Sequence, residues 1–370
     1  MSKEFDQSKI SQAHIMVVGC GALGNEVLKN LVLMGVTHIV AVDFDVVEVG
    51  NLSRSILFTK ADAESRRLKV DVVAERIKQM NPEVDITTIC GDIAHDVGLA
   101  LIRQMDVIIG CVDSRWARFC INRLAMRAGV PWVDGGIDRL EGTARVFIPG
   151  QNCYACSLGP EGLKDLARRM PCSGIIRRQE QAGSAPTTSI VASIIGAIQV
   201  QEALKLVQTD FGTSLCGRML YYEGQHMDVR TAEFKAYDDD CPEHELWQPI
   251  GKTKAGVDTS VKEAMQIWAQ ETGANSITLC LANDCFVDYV ARRDNDERTT
   301  VMLPGHKVEE YVERSTALSG LQTGALYQNE FRHITSLFPY PDISLAQLGI
   351  PRLDVVHVMA DDKDYYLELS

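Results

Sequence analysis

The stretch His14-Ile-Met-Val-Val-Gly-Cys-Gly-Ala-Leu-Gly24 decides the fold, because an apolar strand runs directly into Gly19, Gly21 and Gly24 at the start of a helix. Glycines let the backbone turn sharply and come close to phosphate, and the N–H groups of the following helix attract negative charge. A second strand, Thr37 to Val42, ends on Asp43, where an acid can hold ribose hydroxyls. The pattern predicts a nucleotide site. It leaves the nucleotide open, since nicotinamide-dependent oxidoreductases use the same glycines and the same acid.

Working outward, Asp43-Phe-Asp45, Asn51-Leu-Ser-Arg54, Lys69 and Cys111-Val-Asp113-Ser114 each fall at a strand end or a helix start. Singly, each has a plainer reading as a solvated surface charge or a helix cap. In this order they suit a triphosphate. Attack at an α-phosphate builds charge that Arg54 and Lys69 can stabilise while Asp113 holds magnesium. A redox pyrophosphate needs fewer cations.

Between Ile15 and Asp134 short apolar strands (Ile39 to Val42, Val84 to Ile89, Val107 to Ile109, Trp132 to Val133) alternate with amphipathic helices. That alternation predicts an α/β fold, a Rossmann-like doubly wound, mostly parallel sheet. Val70, Val73, Ala74, Ile77 and Met80 make one buried helical stripe, stopped by Asn81-Pro82, with Lys69 at its exposed start. Strands Gly142 to Ile148 and Arg218 to Glu223 flank a long irregular excursion, Gln151 to Pro186. A helix then runs from Ile190 to Leu206, with Gln199, Gln201, Glu202 and Lys205 near its polar end.

The acidic run Asp238 to Glu245 marks a boundary, and 249–256 reads as a linker. Two domains are expected, 1–248 and a smaller C-terminal α+β domain, 249–370. In the latter Ser260 caps a helix carrying Ala264, Ile267 and Trp268, and Ile277 to Leu281, Thr299 to Leu303, Val355 to Val358 and Tyr365 to Leu369 read as strands.

Cys153-Tyr-Ala-Cys156 and Cys241-Pro-Glu-His244 are two short-spaced ligand pairs. Together they can close a tetrahedral shell around zinc, a structural rather than catalytic site because no position stays open. A CxxC can instead be a redox pair. Cys20, Cys90, Cys111, Cys120 and Cys216 are expected as small core residues; Cys280 and Cys285 have no assigned role.

As a set, G-C-G-A-L-G, D-F-D, N-L-S-R, the isolated Lys69, C-V-D-S and the helix from Ile190 to Leu206 resemble the ThiF/MoeB/HesA adenylyltransferases and the ubiquitin-activating enzymes, over roughly the first two thirds of the chain. The resemblance implies ATP and magnesium, with a ubiquitin-like or sulfur-carrier protein ending in Gly-Gly whose terminal carboxylate is joined to AMP. It implies phosphate contacts from Gly19, Gly21, Gly24, Asn51, Arg54 and Lys69, ribose contacts from Asp43, and magnesium at Asp113 with help from Asp45. It also implies a homodimer formed partly by the Ile190 to Leu206 helix. Cys172 occupies the loop position at which relatives carry a cysteine that can take the acyl group, and the neighbouring arginines favour its thiolate.

This sequence departs from the family in three places. His244 stands where a second CxxC is usual, Ser55 where glutamine often follows the arginine, and the arginine-rich motif before the first strand is replaced by a segment in which Lys9 is the candidate substitute. The C-terminal module favours onward transfer to a conjugating enzyme over sulfur-carrier chemistry in cofactor synthesis. A noncatalytic scaffold stays open as a third outcome.

With 370 residues, 46% apolar and 24% charged, the chain reads as an ordinary globular protein. A net charge of −13 without a basic stripe argues against nucleic acid. No stretch of about 18 consecutive apolar residues predicts a membrane span, and eleven cysteines without a secretion signal suit a cytoplasmic location.

Overall fold

The β-branched and apolar runs fold as strands, and the periodic segments between them as helices. The computed structural model describes residues 6–169, 187–233, 238–281, 284–292, 298–308, 311 and 327–370. In chain order come α1 (Gln7–Gln12), β1 (His14–Val18), α2 (Ala22–Leu33), β2 (His38–Val42), α3 (Lys60–Glu64), α4 (Lys69–Met80) and β3 (Asp85–Ile89). Then follow α5 (Leu99–Ile102), β4 (Val107–Gly110), α6 (Arg115–Ala128), β5 (Trp132–Asp138), β6 (Glu141–Phe147), α7 (Tyr154–Arg169), α8 (Ser189–Val207), β7 (Arg218–Glu223) and β8 (Asp228–Glu233). The chain divides into two compact units, the first made of 1–94, 101–163 and 181–246, the second of 95–100, 164–180 and 247–370.

In the first unit one eight-stranded sheet has the order β3-β2-β1-β4-β5-β6-β7-β8. β3, β2, β1, β4 and β5 pair in parallel, and β6 to β8 extend the sheet antiparallel. Strand order reverses at β1, between β2 and β4. In an open α/β sheet the crevice at that switch, beyond the carboxyl ends of the strands, is where ligands bind. The glycine turn after β1 and the Cys111–Asp113 turn after β4 both open there.

α4 buries Val70, Val73 and Ile77 of the expected stripe, while Met80 in its last turn is exposed and Val72, outside the stripe, is buried. α6 is started by Ser114, whose Oγ accepts from the Ala117 N–H at 3.0 Å, and stopped by Gly129 at φ 74°. α8 starts at the Thr188 cap. By length and composition, with a mean hydropathy of 1.6, α8 could cross a membrane, but half of that window is buried within the protein. Its Gln199 and Glu202, expected at a polar end, are buried instead: Gln199 Nε2 donates to the Gly110 carbonyl at 2.8 Å, and Glu202 accepts from Leu215 N–H at 2.7 Å. A helix lying on a sheet brings even its polar positions against strand ends.

Other expectations are corrected. The excursion from Gln151 contains α7, and the rest of it, 170–186, lies outside the described residues. Cys90 is exposed past the end of β3 rather than in the core. The 249–256 linker contains a strand, β9 (Ile250–Lys252).

The second unit adds α9 (Val261–Thr272), β10 (Ile277–Cys280), β11 (Phe286–Arg292), β12 (Arg298–Pro304), β13 (Tyr327–Phe331), β14 (His333–Ile334), β15 (Val355–Ala360) and β16 (Lys363–Glu368). Ser260 caps α9 as expected, accepting from Glu263 N–H at 3.3 Å. A five-stranded sheet, β14-β10-β15-β16-β9, packs Val356, Val358 and Leu367 with Ala264 and Trp268 of α9. A separate three-stranded sheet, β12-β11-β13, is inserted between β10 and β14.

Candidate active site and metal centre

The turn after β1 is built for close approach. Gly19 has φ +94°, and a Cβ there would come 2.6 Å from the Cys111 carbonyl oxygen. At Gly24 a Cβ would sit 1.9 Å from the Gly19 carbonyl oxygen, so the first turn of α2 must lie against the loop. Gly21 caps α2 with no side-chain hydrogen bond, and nothing lies within 4 Å of where its Cβ would be. The helix N–H groups therefore face an open cradle. Gly24→Ala is expected to force the loop and α2 apart and to abolish nucleotide binding while α4 and the sheet persist, as circular dichroism with calorimetric titration of ATP would show; retained ATP affinity would refute this reading of the turn.

Asp43 braces that turn. Its Oδ2 accepts from the Cys20 N–H at 2.7 Å and its Oδ1 from the Asp45 N–H at 2.8 Å, leaving each oxygen one lone pair for a hydroxyl. Lys69, at the start of α4, is buried rather than exposed as expected, because its Nζ turns in to donate to Asp45 Oδ2 at 2.7 Å. Burial raises the Asp43 pKa above its ordinary value, with Lys69 opposing it. For Lys69 burial works against the charge, but Asp43 and Asp45 outweigh it, and its pKa lies above that of an ordinary lysine. A lysine with a raised folded pKa keeps its pairing stability below its unfolded value and loses it only as pH rises through the folded pKa. Lys69 is therefore a fixed cation at neutral pH.

Asn51 and Arg54 lie on the loop between β2 and α3. The Asn51 Oδ1 accepts from Glu48 N–H at 2.9 Å, so its oxygen caps a turn, and Arg54 Nη1 donates to the Gly50 carbonyl at 2.6 Å. Asp113 is exposed, just ahead of the Ser114 cap of α6. Lys9 is exposed on α1, and Cys172 lies outside the described residues.

Two groups of residues escaped the sequence reading. Asn25, fully buried in α2, donates from Nδ2 to the Cys20 and Gly21 carbonyls at 2.8 and 3.0 Å, and accepts from Leu57 N–H at 2.8 Å. It ties the glycine turn to the loop that carries Arg54. Its only signal was a polar residue in an otherwise apolar helix start. Asn25→Leu removes the side-chain partner of the buried Leu57 N–H and Cys20 carbonyl, which should cost about 1–3 kcal/mol and loosen ATP binding; unchanged urea unfolding would contradict this.

The second group is Asp134 with two arginines. Asp134, at 1% exposure, accepts from Arg118 Nε at 2.8 Å and from Arg145 Nε at 3.1 Å, and Arg118 also donates to the Gly135 carbonyl at 3.0 Å. The three come from α6, β5 and β6.

The Cys153, Cys156, Cys241 and His244 donor atoms all lie within 4.8 Å of one another. Cys153 and Cys156 sulfurs are 3.5 Å apart, Cys153 and Cys241 sulfurs 3.9 Å, and Cys156 Sγ is 3.2 Å from His244 Nε2. Two Zn–S bonds of about 2.3 Å at a tetrahedral angle place sulfurs about 3.8 Å apart, whereas a disulfide needs about 2.05 Å. The donor set fits a metal. Burial pushes the Cys153 thiol up and holds His244 below the ordinary histidine value, so the imidazole stays neutral and able to ligate. A redox CxxC needs an accessible, acidified thiol. Both cysteines are buried.

A ThiF family model matches residues 1–243. The chain is 29% identical to the SAMP-activating enzyme E1 of Haloferax volcanii over 64% of its own length and 82% of that protein's. It is 30% identical to the molybdopterin-synthase adenylyltransferase of Haemophilus influenzae, covering 62% of the chain and 88% of the relative. The probable adenylyltransferase/sulfurtransferase MoeZ of Mycobacterium tuberculosis is 31% identical, and the chain spans only 55% of its length. In fold, MccB of E. coli, also solved with ATP, aligns at a TM-score of 0.53 over 64% of this chain and 68% of its own, at 19% identity. With a glycine cradle, a braced acid and a buried lysine at the switch of a 3-2-1-4-5 sheet, and a family match over well beyond half its length, the chain belongs to the ThiF family.

Proposed function

We propose that this protein adenylates the C-terminal carboxylate of a ubiquitin-like protein ending in Gly-Gly. The observation that carries the reading is the Lys69 ammonium, buried and held by Asp43 and Asp45 beside the glycine cradle. A dinucleotide oxidoreductase has no use for a buried cation there. The SAMP-activating and molybdopterin-synthase relatives support the same chemistry.

In the reaction a carboxylate oxygen of the carrier attacks the α-phosphorus of ATP, a phosphorus–oxygen bond forms, and the bond to the bridging oxygen breaks to release pyrophosphate. The cradle N–H groups and Arg54 hold the phosphates, Asp43 takes the ribose hydroxyls, and Lys69 lies close to the charge that grows at the α-phosphate. Asp113, an exposed carboxylate with hard oxygen donors, would hold magnesium, which shields the phosphate charge. Asp45 keeps Lys69 in place. The protein works in the cytoplasm as a homodimer, and its C-terminal domain, 249–370, recruits a conjugating enzyme after the acyl group has passed to Cys172. Its alternative is sulfur transfer, the activity named for the MoeZ relative.

Mass spectrometry under nonreducing conditions separates these steps. Incubation with ATP, magnesium and a Gly-Gly carrier should give carrier–AMP, then a carrier–enzyme adduct that thiol cleaves and Cys172→Ala removes. Carrier–AMP without the adduct would leave adenylation standing and refute the thioester. Absence of both would refute the proposal.

Cys153, Cys156, Cys241 and His244 hold a structural zinc. Metal analysis should find zinc lost in Cys241→Ala, and chelation should lower the thermal midpoint of the wild type but not of that variant. Equal midpoints with and without chelator in the wild type would reject the site.

A further inference from the structure

In the second unit three residues far apart in sequence meet where the inserted sheet begins. At the open end of the β11–β12 hairpin Phe286 lies opposite Pro304, and the same register carried two residues further sets Asp284 opposite His306. Gly305 permits this: its N–H donates to the Cys285 carbonyl at 2.7 Å, and a Cβ there would come 2.9 Å from Asp284 Oδ1. His95, from the segment 95–100 of the same unit, stacks on His306 with ring centroids 4.2 Å apart and planes 4° from parallel.

His306 Nδ1 lies 2.5 Å from Asp284 Oδ2. That bond assigns the ring proton to Nδ1 and leaves a lone pair on Nε2. Nε2 is buried and has no hydrogen-bond partner among the described residues. A buried acceptor left unmet calls for a ligand, and a carboxylate fixing one imidazole nitrogen while the other faces inward is the arrangement that orients histidine toward a metal. His95, Asp284 and His306 each offer a donor atom within 4.8 Å of the other two.

We propose that His95, His306 and Asp284 form a second metal site, for a divalent ion of the zinc class. Two imidazoles and one carboxylate suit zinc, cobalt or nickel rather than calcium or magnesium. In contrast to the sulfur-rich centre, three protein donors leave a coordination position for water. In-plane lone pairs of parallel rings cannot converge on one point, so binding turns one imidazole out of the stack.

Cobalt titration of the full chain tests this, because thiolate ligands give an intense charge-transfer band and nitrogen–oxygen sites do not. Wild type should bind one equivalent more than His306→Ala and one more than His95→Asn, and that equivalent should show ligand-field absorption without the thiolate band. Both variants should keep wild-type circular dichroism and the thiolate-bound equivalent. Equal stoichiometry in all three proteins, loss in His306→Ala but retention at unchanged affinity in His95→Asn, or a thiolate band on the extra equivalent would each overturn the site.

Discussion

Lys69→Ala is expected to lower carrier-dependent turnover by about 10²–10³-fold, the loss seen when one preorganised charge donor is taken from a transition state. The affinity for the carrier should change little, because Lys69 is buried with its ammonium on Asp45 and offers little surface to a protein. Its removal also strips Asp43 of the cation that opposes burial, so the Asp43 carboxyl should rise further above its ordinary value. Lys69→Arg keeps the charge but not the compact ammonium that fits beside Asp45. Partial activity is expected from it. Steady-state kinetics with carrier titration decides: equal losses in turnover and in carrier affinity would assign Lys69 a structural role only.

Asp134→Ala should give the largest loss of stability in the first unit. Its carboxylate is the shared partner of Arg118 and Arg145, both mostly buried, and deleting it leaves two guanidinium groups facing each other out of water. Breaking such a pair costs about 3–5 kcal/mol, which lowers the thermal midpoint by on the order of 10 °C. Arg145→Met in the Asp134→Ala background should recover part of that loss, since it removes one stranded charge. A midpoint within experimental error of wild type, by calorimetry, would contradict this account of the triad.

The parts of the site that reside in one turn were legible in the sequence. Gly19, Gly21, Gly24 and Asp43 follow from local backbone geometry, and Lys69 from its place at the head of an amphipathic stripe. Groups assembled across elements were not. Asn25 braces a loop more than thirty residues away, and Asp134 meets arginines from a helix and a neighbouring strand. Their spacing carries no period. The same holds for His95, Asp284 and His306, brought together only by the fold of the second unit.

Strands were missed for a related reason. β8 is exposed along its whole length, so it lacks the apolar alternation that marks a half-buried strand. β9 is a short edge strand beside β16 and reads as linker because only pairing, not composition, defines it. The Cys153/Cys156 and Cys241/His244 pairs, by contrast, are legible from spacing alone, and the structure brings the four donors together.

Radiolabelled pyrophosphate exchange into ATP reads the adenylation step itself. With magnesium and a ubiquitin-like carrier ending in Gly-Gly, label should enter ATP; with the same carrier lacking its final glycine, or with Lys69→Ala, exchange should fall to background. Exchange that proceeds equally without any carrier, or none with a panel of Gly-Gly carriers while NAD binds in place of ATP, would contradict it.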